Sequence, residues 1–185
     1  MAQATPNSDR YDAVTIVFHW LTALLVLALF VSSLMWNYGP RGMGRESLQA
    51  LHISLGIGLA AVMLLRLVWR MFGGRRLAAA GNAVTAPLSR FVHWLLYGLL
   101  ALQVGLGFVL RWFQGEAFSF FGLFEIPQLL ASNRGLEHTV ENYHNLAAWA
   151  LIYLAGGHAL MALAHRYVFK DDVLKRMLIG AGRTG

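Results

Sequence analysis

The chain contains no cysteine. That excludes disulfides, iron–sulfur clusters and thiolate-held metals, and leaves histidine as the expected metal ligand. Charge is scarce too: 13% of the 185 residues are charged, while 57% are hydrophobic. A soluble domain carries about 25% charge, so an ordinary soluble fold is a poor match. The formal net charge is +6, but the basic residues form no compact patch with interleaved aromatics. No nucleic-acid partner is expected. No internal repeat or low-complexity tract divides the sequence, and its length fits one domain over residues 1–185.

What is present is four long apolar runs. They extend over about residues 14–36, 50–71, 88–112 and 142–168. Each is near or above the roughly 20 residues that cross a bilayer as helix. Their apolar character is continuous rather than alternating, which argues for helices over strands. The first run is too long for a signal peptide and no small-x-small cleavage site follows it, so it reads as a retained helix. The expected fold is all-α: an integral membrane four-helix bundle surrounded by lipid.

Charge orients the bundle. With both termini cytoplasmic, the inner segments hold Arg10, Arg66, Arg70, Arg75, Arg76, Arg90, Arg166, Lys170, Lys175, Arg176 and Arg183. The outer segments hold only Arg41, Arg45, Arg111 and Arg134. The positive-inside rule favours this arrangement. Trp36, Trp69, Trp94 and Trp112 fall near span ends, as an interfacial belt requires. Trp20 and Trp149 lie deeper and are expected to face lipid or a cofactor. The aromatic loop after the third span is expected to lie on the bilayer surface or to cap the helix ends.

No Asp or Glu lies in any span core. A zinc site or a proton relay would want such carboxylates, so their absence favours electron transfer. Histidines occupy the spans instead. Buried polar groups in a bilayer are costly and rare, so each needs a partner. His144 and His158 are 14 residues apart in the fourth span. They point within about 40° of each other and sit roughly 21 Å apart along the axis. His52 begins the second span level with His144. His19, on the first span, is level with His158. Facing pairs at two depths are what two bis-histidine haems need, and a four-helix bundle can build them. His93, in the third span, has the same depth as His19, so from depth alone either could oppose His158. Gly56, Gly58, Gly105, Gly107, Gly156 and Gly157 lie near these levels and would admit a flat ring or close helix packing. His138 reads as plain surface.

Four stretches carry a resemblance. They are "FHW" at Phe18–Trp20, "LHISLGIGLAAVMLLRLVWR" at Leu51–Arg70, "YHNLAAWALIYLAGGHALMALAH" at Tyr143–His165 and "KDDVLKRML" at Lys170–Leu178. Together they resemble the bacterial cytochrome b561 family over nearly the whole chain. The resemblance implies four helices holding two haem b groups in a bacterial inner membrane. It implies that His19 and His158 hold the inner haem iron, and His52 and His144 the outer one. It also implies electron exchange with ubiquinone, with superoxide oxidised at the periplasmic face.

On that reading Arg41, Arg45 and Arg134 are candidates for steering superoxide, opposed by the outer acids Glu46, Glu116, Glu125, Glu137 and Glu141. His93 and His165 are candidate proton donors to quinone, since histidine titrates near neutral pH. Arg75, Arg76, Ser89 and Arg90 are candidates for holding its head group. His165 could equally reach the lipid headgroups. Two rival functions stand beside this one. The chain could be a haem-bearing anchor between a partner dehydrogenase or hydrogenase and quinone, or a non-redox helical membrane protein.

Overall fold

The structure, a computed structural model, describes residues 10–40, 44–77 and 85–178. Arg41 and Arg183 lie outside the described residues. Four long helices account for most of the described chain: α1 Ala13–Tyr38, α2 Arg45–Phe72, α3 Thr85–Gln114 and α4 Arg134–Tyr167. Each is long and apolar enough to cross a membrane. Side chains such as Leu24, Leu64, Leu146 and Leu160 are exposed on their outer surfaces. That is a surface for lipid, not water.

Two helices begin earlier than their apolar runs. α4 starts at Arg134 rather than near Asn142 because Asn133 caps it, accepting the Leu136 N–H at 3.1 Å. Glu137 in the first turn suits the positive end of the helix dipole. α2 likewise gains a polar first turn carrying Glu46. These turns extend each helix beyond its apolar span.

α1 packs along α2, and α3 along α4, whereas the two pairs touch each other lightly. The pairs close on one another at Leu59, Leu100 and Leu151, the buried core cluster. Leu151 is seven residues from both His144 and His158, or about 10 Å along the axis in each direction. Leu59 is likewise seven beyond His52, and Leu100 seven beyond His93. The tightest apolar packing therefore forms a layer midway between the two histidine levels.

One end of the bundle carries a small hairpin. β1 (Phe118–Phe120) and β2 (Phe124–Ile126) pair antiparallel through a turn in which Phe121 and Gly122 both take positive φ. This corrects a purely all-α reading in detail only. The loop was expected to lie on the bilayer surface or to cap helix ends; it packs against the flank of α2, at Ser54 and Gly58. The buried Ser54 of α2 accepts the Phe121 N–H at 3.1 Å and donates to the Ser119 carbonyl. Phe120 lies over Gly58.

The opposite end is held by Asp12. Its carboxylate caps α1 by accepting the Thr15 N–H at 2.9 Å. It also accepts from the Trp69 indole at 2.9 Å and the Arg75 backbone N–H at 3.0 Å, tying α1 to the end of α2. The Trp20 indole donates to the Met177 carbonyl at 2.8 Å, so the segment after α4 returns to α1. Burial opposes ionisation of Asp12, but bonds from Thr15, Arg75 and Trp69 outweigh it and hold its carboxyl down at about 2.

Replacing Asp12 by Ala should lower the unfolding temperature in detergent, at a cost of about 1–2 kcal/mol for the lost cap and cross-helix bonds. Because the folded pKa is depressed, this contribution is complete above about pH 4 and is lost as pH falls towards about 2. Thermal scans should show the gap between wild type and Asp12→Ala narrowing over that interval. An unchanged gap would mean that the charge is irrelevant.

Candidate functional site

The histidines of the spans meet in two groups. His52 of α2 faces His144 of α4 with ring centres 6.4 Å apart and planes at 74°. His19 of α1 faces His158 of α4 with centres also 6.4 Å apart, planes at 71°. Each couple joins one helix pair to the other, where packing is light. The first couple lies towards the hairpin end, the second towards the Asp12 end. His93 of α3 also reaches His158, but more closely, with ring centres 5.2 Å apart.

Neighbours orient these rings. His52 Nδ1 donates to the Leu29 carbonyl at 2.9 Å, which leaves its Nε2 as the acceptor nitrogen. Ser32 Oγ stands 3.1 Å from the same Nδ1, and the Trp36 ring meets His52 edge-on at 4.8 Å. His144 takes a bond from Gln103 at 3.1 Å on one ring nitrogen. Its other nitrogen is buried without a hydrogen-bond partner among the described residues. A side chain on Gly107 would press on this ring, since a Cβ there falls 3.3 Å from His144 Cε1.

The Asp12 end adds cations and a phenol. Arg66 and Arg70 lie over the Tyr97 ring, at 5.1 and 5.8 Å, and Arg66 is near enough to act on both His19 and His93. His165 does not join this group. It pairs with Asp171 at 2.6 Å.

The sequence profile of prokaryotic cytochrome b561 matches residues 10–180. This chain belongs to that family. It is 31% identical over 177 residues to cytochrome b561 homolog 2 of Escherichia coli K12, covering 94% of each chain. It is 29% identical over 170 residues to the probable superoxide oxidase CybB of Yersinia pestis, covering 91% of this chain and 96% of that one. It is also 29% identical over 179 residues to cytochrome b562 of Cereibacter sphaeroides, covering 91% and 94%. The chain is thus a multi-pass cytochrome of the bacterial inner membrane, a membrane electron-transfer protein for which haem b is the family's cofactor.

The residues present fit that group. Metal–imidazole bonds are about 2 Å, and about 1.1 Å more separates the nitrogen from the ring centre, so two axial imidazoles on one iron have centres about 6.3 Å apart. Both cross-bundle couples stand at that spacing, and the His93–His158 contact is shorter. The space at Gly107, where a Cβ would crowd the His144 ring, suits a flat ring beside that histidine. Zinc is less well served, because the described residues contain no group of three or more His, Asp or Glu placed to hold a metal.

The other sequence candidates are dispersed. Arg45 Nε donates to the Trp36 carbonyl at 3.0 Å and so closes the end of α1. Arg134 is exposed at the first turn of α4. Arg75 joins the Asp12 clasp through its backbone and donates to the Arg10 carbonyl. Arg76 and Arg90 are exposed, and the Ser89 backbone bonds His93. Trp20 stands beside His19 at 5.6 Å, and Trp149 packs on Phe30 and Tyr153. Near the hairpin, a cavity of about 630 Å³ is lined by Glu46, Glu116 and Glu125 against Arg111. Arg111 is already paired with Glu116 at 2.9 Å.

Gln103, Tyr97 and Asp171 were missed. Gln103 had a visible signal, as a lone amide inside an apolar span. Tyr97 lies four residues after His93, on the same helix face. Asp171 had no periodic signal, because its approach depends on a turn after α4.

The close fit at Gly107 yields a test. Gly107→Leu should push the His144 ring from its place and lower the haem-to-protein ratio of the purified cytochrome. Gly98→Leu, where an added Cβ would meet nothing within 4 Å, should leave the ratio unchanged. Equal ratios in both variants would dissociate Gly107 from cofactor binding.

Proposed function

We propose that this cytochrome carries two haem b groups, one between His52 and His144 and one between His19 and His158. The recurrence of a 6.4 Å ring spacing at two levels of the bundle carries this reading. When bound, the haems supply one-electron carriage across the membrane. By the positive-inside rule both termini are cytoplasmic, so the hairpin end is periplasmic.

The reaction is superoxide oxidation coupled to ubiquinone reduction. The likeness to a probable superoxide oxidase supports it. Two superoxide ions each give up one electron and leave as dioxygen. Ubiquinone gains those two electrons and two protons and becomes ubiquinol. At the periplasmic end Arg45 and Arg134 supply positive potential for the anion, whereas the cavity lined by Glu46, Glu116 and Glu125 repels it. At the cytoplasmic end Arg66, Arg70 and Tyr97 gather near His93 with donors suited to a quinone oxygen, and Ser89, Arg75, Arg76 and Arg90 are candidates for holding its head group at the same end. His93 and His165 hold protons that the reduced quinone takes up. The rival reading, an anchor cytochrome fed by a partner dehydrogenase, requires haem reduction only when that partner is present.

Detergent-purified protein should contain about two haems per chain. His52→Ala and His144→Ala should each remove one haem, and His19→Ala and His158→Ala the other, while His93→Ala keeps both. Loss of haem from His93→Ala with retention in His19→Ala would overturn the assignment. A pulse of superoxide should reduce the haem of the isolated protein, and more slowly at about 0.5 M salt. No reduction without a partner protein would favour the anchor instead.

A further inference from the structure

His165 stands seven residues beyond His158 on α4 and belongs to neither couple. Its Nδ1 lies 2.6 Å from Oδ2 of Asp171. The backbone builds this approach. After α4 ends at Tyr167, Lys170 takes a left-handed conformation, φ +54°, which non-glycine residues seldom adopt. That residue turns the chain back. The Asp171 N–H then donates to the His165 carbonyl at 3.0 Å, and Asp171 Oδ1 accepts the Val173 N–H at 3.2 Å. Main chain and side chain of Asp171 are both tied down. An ionised carboxylate only accepts, so the short bond keeps a proton on Nδ1 and leaves Nε2 as the nitrogen that can serve another molecule.

We infer that Asp171 is a positioning residue, fixing the His165 imidazole so that Nε2 delivers protons to a quinone oxygen at this end of the bundle. This rests on the proposed reduction of ubiquinone there. The surrounding charges are Arg166 beside His165 on α4, Arg176 acting on Asp171, and the Asp172–Lys175 pair. From α1 the segment receives only the neutral Trp20 indole, and Phe169 covers the ring at 5.3 Å. The His165 N–H bond in turn holds the Asp171 carboxyl below the usual carboxylate range. Side-chain exposures of 27% for His165 and 41% for Asp171 place the pair at the surface of the molecule, where α4 ends. The imidazolium gives its Nε2 proton to quinone as the two electrons arrive, water on the cytoplasmic side reprotonates the ring, and the second proton follows the same route.

The test uses the full-length haem-loaded protein, reduced with dithionite, freed of excess and mixed with ubiquinone-1 while haem reoxidation is followed across pH. Asp171→Asn removes the charge and replaces one acceptor oxygen by a donor, so an amide that still accepts the Val173 N–H turns an N–H towards Nδ1 and switches the ring's tautomer. It should slow reoxidation about tenfold at neutral pH, with haem content unchanged. Asp171→Glu should recover part of the rate. A wild-type rate and profile in Asp171→Asn, beside slow reoxidation in His165→Gln, would overturn the positioning role and leave the quinone reading intact. Unchanged behaviour in both variants would remove His165 from quinone reduction, and Asp171 with it. If Asp171→Asn fails to assemble, ¹⁵N spectra of wild-type His165, assigned against His165→Gln, decide the matter. A proton on Nδ1 supports the proposal, and one on Nε2 alone overturns it.

Discussion

An imidazole inside a bilayer must be given a partner, and this requirement organises the bundle. The four histidines of the two couples lie in apolar spans whose cores hold no Asp or Glu. Burying such a ring without a partner costs several kcal/mol on water-to-hydrocarbon scales, and about 0.5–2 kcal/mol with partial compensation. The chain meets that cost in two ways. It gives one nitrogen of His52 and one of His144 a protein partner, Leu29 and Gln103. The rings of each couple then stand 6.4 Å apart across the light seam between helix pairs, the spacing on which the proposed haem sites rest. A partner on one nitrogen fixes the ring and leaves the other for a metal.

The seam explains the uneven packing. Helices that met closely along their whole length would leave no room between opposed histidines. Helices that met nowhere would not hold a spacing. The cluster of Leu59, Leu100 and Leu151 resolves this by closing the bundle midway between the histidine levels. The two ends are held separately. Asp12 joins α1 to α2 at one, and Ser54 binds the hairpin to α2 at the other. The middle fixes the distance between helix pairs, the hairpin adds a link from α2 to the chain after α3, and Asp12 holds α1 to α2 within one pair.

The spans, their helical type and the two histidine depths were legible because each rests on one-dimensional periodicity. A run of apolar residues has a length, and 14 residues of helix have a rise and a rotation. What was not legible depends on the chain turning back. Phe118–Ile126 reads as a greasy loop until Phe121 and Gly122 adopt positive φ and pair its halves. Lys170 does the same for Asp171. Depth also could not separate His19 from His93, since both lie one turn inside the same end. Their ring spacings from His158 differ, 6.4 against 5.2 Å, and the proposed assignment uses that difference; spacing across a bundle is not written in any single helix. Arg45 and Arg75 read as candidates for steering superoxide and for holding a quinone head group. Each is partly engaged in closing a helix end.

The distribution of titratable groups separates electrons from protons. Between the two histidine levels no span contains Asp, Glu, Lys, Arg or His. The leucine layer offers a proton no carrier, whereas electrons tunnel between cofactors without one. On the proposed reading, protons consumed at the Asp12 end must therefore come from that side. The groups able to supply them are gathered there: His93 among Arg66, Arg70 and Tyr97, and His165 bound to Asp171 at the surface of the molecule. At the hairpin end the histidine–carboxylate contact among the described residues, His138 with Glu141 on the first turns of α4, is longer, 3.8 Å, and more exposed. Oxidising superoxide releases no proton, so that end has none to manage. Quinone reduction consumes two, and the asymmetry of the molecule matches the asymmetry of that chemistry.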